Sequence, residues 1–584
     1  ALASLCLALA LTLCLTLPAW AAGGGDAGQR ITQDAKGNIT VKDVESGVKV
    51  HVYQLMTVNV DDTAHQPQMP VYSWVPSVGD WLKGNANKTY QGYISKVEND
   101  YSVTENFTLP EIDENGTKAA EIAAFYDSLA AAIRNKTITG LTTKEVEAGG
   151  TPGQTVSCTI SDLSMGNYLV LIEGGMKIYR PSAVNLVPVW KEEENGQGGE
   201  WVISSPAEVT IKSSELTITK KVKDAETYNA NDGVEELDYA QVAIGDTVTY
   251  ILEADVPQFP ADAINKGYVI SDNLPDGMTL ETVTVYGVKP GSGGTTETEA
   301  PLTLKQDGAN TDPAAGPDLT YTLTTPTAGG TVSRPGAEGT KTVNFKVEFS
   351  NIVDIYKAGY TKVKITYTAT ANAGIKVVDK HDNTHVNQNT AYLDYNNNPY
   401  EKKTDGTPTW KTASDTADVY TYGIKVTKTD DQTPATPLAG AEFQVYKDED
   451  KDGKINEGAT PLNFVAVGNN SGTYRVAVSS ENNKTDKVTT IGGTSATAPN
   501  LTLSGLDVGD YILKETKAPD GYNLPSRTFS VKITDGTNAD PVTDPDGLVD
   551  TDKSPAQDGY NEIAITNTKG FTLPTTGGMG TVLF

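Results

Sequence analysis

A chain of 584 residues has room for about three or four domains of ordinary size, each able to bury its own core. Its net charge of −29 is spread through Thr-, Asn- and Gly-rich sequence without long blocks, which suits a soluble surface and excludes the basic patches that nucleic acid requires. Val, Thr and Tyr recur in short alternating runs between Gly, Asn, Asp and Pro, the texture of β-sandwiches.

The chain opens on "ALASLCLALALTLCLTLPAWAA", an apolar run closed by the small-x-small cleavage pattern Ala19-Trp20-Ala21. Residues 1–21 are read as an export signal, expected to be incomplete at its start because an initiator Met and a basic flank are missing. Cys6 and Cys14 leave with it, so Cys158 stays alone in the mature chain and no disulfide framework can form. In "TVSCTISDL" that thiol packs as a small apolar residue, without a His or Asn partner to make it a nucleophile. Residues 30–213 read as a first, mainly β domain: "GNITVKDV" and "VKVHVYQLM" alternate like strands, and "TKAAEIAAFYDSLAAAIRN" (117–135) has helical spacing.

A middle domain, 214–420, and a last one, 421–570, share a plan. Strand alternation puts Leu216, Ile218, Lys220 and Val222 on one face, which prefers Lys220 to its neighbour Lys221 as the inward lysine. It groups Tyr268, Ile270 and Asp272, and again Asn389, Ala391, Leu393 and Tyr395. In the last domain the groups are Ile424, Val426 and Lys428; Tyr511, Leu513 and Glu515; and Ile563, Ile565 and Asn567. Each domain thus sends a Lys, a carboxyl and an Asn inward beside apolar residues. A slip of one residue in strand phase would turn all of them outward. Sealed in an apolar core, the amine loses its proton and the acid keeps one, so Lys can attack the Asn carboxamide while the acid relays protons and ammonia departs. The product is an internal Lys–Asn isopeptide bond that ties the first strand of the domain to its last. In the first domain "GNYLVLIEG" (166–174) occupies the place of the acid segment, and no crosslink is expected there.

"DEDKDGKINEGA" (448–459) sets Asp448, Asp450, Asp452 and Asn456 at positions 1, 3, 5 and 9 of a calcium-loop template, with Gly453 at position 6. Position 12 is Ala459 where a bidentate carboxylate belongs, which favours a solvated acidic turn; no cofactor is expected, and calcium is the one the pattern admits. His381 and His385 lack a third ligand and read as loop residues.

These segments resemble a known family. "YILKETKAPDGY" looks like the E-box of Gram-positive pilins, and "PLAGAEFQVY" (437–446) resembles the second strand of their collagen-adhesin B-type domains. "YVISDNLPDGM" and "NTAYLDYNNNP" resemble the Asp and Asn segments in the isopeptide-forming middle domain of Spa-type major pilins. The resemblance implies tandem immunoglobulin-like β-sandwiches, all-β but for one helix in the first domain. It also implies Lys428–Asn567 and Lys220–Asn389 crosslinks, with Glu515 and Asp272 as the acids.

"LPTTG", Leu573, Pro574, Thr575, Thr576 and Gly577, fits the sortase signal at every position, within the closing segment 571–584. A sortase Cys would attack the Thr576 carbonyl and release Gly577. The hydrophobic segment and basic tail usual in the family are expected beyond the seven residues that follow the motif. The family's pilin motif supplies an acceptor amine near the end of the first domain. In "WVISSPAEVTIKSSE" (201–215) it points to Lys212, although the usual Tyr-Pro-Lys and spacing are absent; Lys191, after "NLVPVW", is the rival. The resemblance therefore implies the backbone subunit of a covalent pilus on the cell wall, with sortase, neighbouring subunits and peptidoglycan as partners. The alternative is a singly anchored adhesin, or a tip or base pilin, that binds a host ligand. Neither is a turnover enzyme.

Overall fold

The computed structural model describes residues 30–570 apart from 85–87, 108–116, 176, 194–197, 224–235, 261–262, 292–295, 305–317, 327–331, 337–338, 381–383, 401–407, 494 and 535–557. The export signal and the LPTTG segment lie outside the described residues.

Three β units follow one another along the chain. In the first, the strand Lys49–Asp61 lies between Gln66–Trp74 and Gly166–Glu173, and a separate three-stranded sheet sets Lys36–Glu45 between Ala207–Thr210 and Thr155–Ser164. The helix Thr117–Arg134 buries Phe125, Leu129 and Ala130 in an apolar cluster with Trp74, Leu169 and Leu171. Two further helices, Pro76–Lys83 and Ile352–Lys357, escape the sequence reading because about two turns are too few to display a 3.6-residue period. Local chemistry sets them instead. Proline occupies the first turn of one, and the Asn351 side chain caps the other by accepting the Val353 N–H at 3.2 Å.

The middle unit is a sandwich of two sheets. Its five-stranded sheet runs in the order Ile218–Lys223, Thr247–Asp255, Lys362–Ala371, Met278–Lys289 and Thr298–Pro301. The other, seven-stranded, includes Lys411–Tyr420, Gln388–Tyr395, Tyr268–Asn273 and Phe345–Phe349 in that order. "KVKITYTATA" shows why such segments become strands: β-branched and aromatic residues alternate with polar ones, and Val363, Ile365, Tyr367, Ala369 and Ala371 are all buried.

Thr421 alone separates the last strand of the middle unit from Tyr422–Asp430, the first strand of the third. That opening strand lies between Leu501–Leu506 and the closing strand Tyr560–Asn567, which it pairs in parallel. A Cβ on Gly423 would sit 2.4 Å from the Leu503 carbonyl oxygen, so glycine permits this close approach. The facing sheet carries Glu442–Lys447, Gly509–Lys517 and Phe529–Ile533. Among the described residues, no helix is long and apolar enough to cross a membrane.

Candidate functional site

In the third unit Lys428, Glu515 and Asn567 meet in the core, each at most 3% exposed. The parallel register sets Lys428 opposite Ile565 and Asp430 opposite Asn567, so Lys428 and Asn567 lie two positions apart along one face of the same sheet. The Lys428 amine donates to Asn567 Oδ1 at 2.5 Å, and Asn567 Nδ2 donates to Glu515 Oε1 at 2.6 Å. Glu515 reaches them from the opposite sheet, with Oε2 3.8 Å from the amine. Burial pushes the Lys428 amine down to about 8, against the upward pull of Glu515. Burial also pushes the Glu515 carboxyl up, opposed by the Lys428 charge and the Asn567 hydrogen bond. Both shifts favour the neutral pair, amine and carboxylic acid.

The middle unit assembles the same three groups differently. Lys220 projects from the five-stranded sheet, while Asp272 and Asn389 project from neighbouring strands of the other; all three are wholly buried. The Lys220 amine is hydrogen-bonded to Asp272 Oδ2 and donates to the Tyr367 hydroxyl at 2.6 Å. Asn389 Nδ2 donates to that hydroxyl at 2.8 Å. The amine also lies 4.8 Å from the Tyr250 ring centroid, and Tyr250 stacks on Tyr367. Burial lowers the Lys220 pKa against the charge and hydrogen bond of Asp272, and raises that of Asp272 against the charge of Lys220. Asn389 lies on the penultimate strand, Gln388–Tyr395, and the unit closes with Lys411–Tyr420. A bond here would therefore join the first strand to the penultimate one, across the sandwich, and not to the last as expected. Alternation fixes a residue's face but not the order of strands in space.

Two contributors were missed by sequence reasoning. Tyr367 lies on the inward phase of Lys362–Ala371, a signal present in "ITYTA" but masked by the many tyrosines of the chain. Asn500 is buried, accepts the Lys428 N–H at 2.8 Å and donates to the Lys428 carbonyl at 3.1 Å, which fixes the backbone from which the amine projects. No alternation pattern marks it. Lys221 points the other way, partly exposed, and pairs with Asp238.

Lys212 follows the strand Ala207–Thr210 and is partly buried; burial, then the Arg180 charge, lowers its pKa. Its carbonyl accepts the Arg180 N–H at 3.0 Å. Lys191 is exposed on the strand Pro188–Glu192 beside Trp190. Asp448, Asp450 and Asp452 each bring a carboxylate oxygen within 4.8 Å of the others. Their backbone closes the turn through Gly453 N–H to Asp448 Oδ2 at 2.9 Å, and the Lys454 amine donates to Asp452 at 3.3 Å. Asn456 is exposed, and its carbonyl accepts the Ala459 N–H at 3.0 Å. His385 pairs with Asp418, and His381 lies outside the described residues. Burial raises the Cys158 thiol pKa, against reactivity.

The family model of the SpaA prealbumin-like fold domain matches residues 422–545, within the third unit. Over a longer stretch the chain is homologous to the trypsin-resistant surface T6 protein of Streptococcus pyogenes serotype M6, with 26% identity over 329 residues. The match covers 55% of this chain and 46% of that protein, so the chain spans about half the length of its curated relative. Among solved structures it is similar to the T6 backbone pilin of serotype M6 Streptococcus pyogenes, with TM-score 0.45, 18% identity, and coverage of 86% of this chain and 81% of that one. It is also similar to the Corynebacterium diphtheriae major pilin SpaA, with TM-score 0.39, 14% identity, and coverage of 91% and 100%.

Proposed function

We propose that the chain is the backbone subunit of a covalent surface pilus, stiffened by two internal Lys–Asn isopeptide bonds that it forms itself. The observation that carries the crosslinking is the pair of sealed clusters in which an amine, a carboxyl and a carboxamide are buried together with shifts that favour neutral forms. In the third unit the neutral Lys428 amine attacks Asn567 Cγ. Glu515 takes a proton from the amine and returns one to Nδ2, which already touches Oε1; the Cγ–Nδ2 bond breaks and ammonia leaves. Each cluster reacts once, so the chemistry is single-turnover. The bond consumes a buried amine whose charged form burial disfavours.

Assembly is supported by LPTTG at 573–577 and by the descriptions of the relatives, a surface protein and backbone pilins. Sortase joins the Thr576 carbonyl to an amine of the next subunit, Lys212 in this reading, and finally to peptidoglycan at the cell surface. Partial burial and the neighbouring Arg180 favour the unprotonated Lys212 amine that must attack the thioester.

Intact mass of the mature protein tests the crosslinks: each condensation should remove one ammonia, about 17 Da, giving two such losses and linked peptides at both lysines. A mass equal to that of the sequence overturns the crosslinks. Co-expression with the cognate sortase should yield a covalent ladder; monomers alone on the wall would instead mark a singly anchored adhesin.

A further inference from the structure

The two clusters differ in what the acid touches. In the third unit Glu515 accepts directly from the nitrogen that must leave, Asn567 Nδ2. In the middle unit Asp272 contacts the attacking amine, and the leaving nitrogen of Asn389 rests on Tyr367, whose hydroxyl also receives the amine at 2.6 Å. We infer that Tyr367 is a catalytic residue of the middle-unit condensation, its hydroxyl carrying a proton from the Lys220 amine to the departing Asn389 nitrogen. This rests on the crosslinking reading.

The step balances without a further reactant. The Lys220 Nζ–Asn389 Cγ bond forms, and the amine nitrogen becomes acidic as it gains a fourth substituent. It passes a proton to Tyr367 Oη while the phenol passes its own to Nδ2; the Cγ–Nδ2 bond then breaks and ammonia departs with both amide hydrogens and the relayed one. Tyr367 and Asp272 end as they began. A phenol suits the task because one oxygen accepts two hydrogen bonds and donates one. Tyr367 is 1% exposed, stacked on Tyr250 with ring centroids 5.0 Å apart and edge-on to Phe345 at 5.1 Å, so the relay is held in place and solvent is kept away.

The test is a time course of intact mass and linked-peptide yield in the full mature chain after synthesis is stopped. Tyr367→Phe keeps the ring and removes only the hydroxyl. Lys220–Asn389 formation should slow about 100-fold, the usual worth of a positioned acid–base group, while Lys428–Asn567 forms at the wild-type rate as an internal control. Tyr268→Phe, which removes a buried hydroxyl from the same core four residues from Asp272 along its strand, should keep the wild-type rate. Lys220→Met, which cannot crosslink, gives the near-ultraviolet circular dichroism of a folded, unlinked middle unit, and Tyr367→Phe should reproduce it while unreacted. A wild-type rate in Tyr367→Phe overturns the inference. So does equal slowing in both Phe variants or a lost middle-unit signal, either of which assigns the effect to packing. Absence of the Lys220–Asn389 peptide from the wild type itself overturns the crosslinking reading instead.

Discussion

Glu515→Gln isolates what the proposed third-unit bond would do, because it keeps the shape and a hydrogen bond to Asn567 but removes the proposed proton shuttle. The proposed link from Lys428 to Asn567 would span 139 residues. By the chain-entropy relation for crosslinks, a loop of that length stabilises by about 5 kcal/mol through the unfolded state. For a unit of this size the loss should lower the melting temperature by roughly 10–20 °C. The unreacted variant should also acquire a pH dependence. Burial holds the Lys428 amine below its ordinary 10.5, at about 8 with Glu515 still pulling upward, and lower once that carboxyl is gone. The folded state then binds fewer protons than the unfolded state up to the unfolded pKa. Stability of Glu515→Gln should therefore rise with pH from below about 8 towards 10.5, by at most about 1.4 kcal/mol per unit. Wild-type protein, its amine consumed, should lack that slope. Calorimetry of the mature chain at several pH values reads both effects, and peptide mapping verifies that the bond is missing. An unlinked Glu515→Gln whose third-unit transition stays within about 2 °C of wild type would refute the stabilising role.

Asp272→Ala should lose only the middle-unit ammonia deficit, leaving that of the third unit, as read by intact mass. Lys212→Ala should leave subunits that donate through Thr576 but cannot accept, abolishing the ladder seen on denaturing gels; a ladder linked through Lys191 would move the acceptor without changing the assembly. Calcium should bind the 448–459 turn weakly if at all, since Ala459 offers no carboxylate and Lys454 already pairs with Asp452. A sub-micromolar affinity by calorimetry, abolished in Asp450→Ala, would contradict that. Cys158 should resist alkylation in the native protein and react fully once unfolded, as measured by mass after iodoacetamide.

The sequence alone determined which residues of each strand face inward. Period-2 alternation is a local property of the chain, so the buried phase of Lys220 over Lys221, of Asp272, and of Glu515 between Tyr511, Leu513 and exposed Lys514 could be read from a few neighbours. The long Ala-rich helix was legible for the same reason, having enough turns to show its period. Only the tertiary structure decided which strands adjoin: that Lys428 and Asn567 share a sheet, that Lys220 and Asn389 face each other across two sheets, and that Asn389 stands on a penultimate strand. It alone brought Tyr367 and Asn500 to the lysines, from positions 147 and 72 residues away in the chain. Strand order comes from long-range pairing and from how the two faces fill one core, and no short window of sequence contains that information.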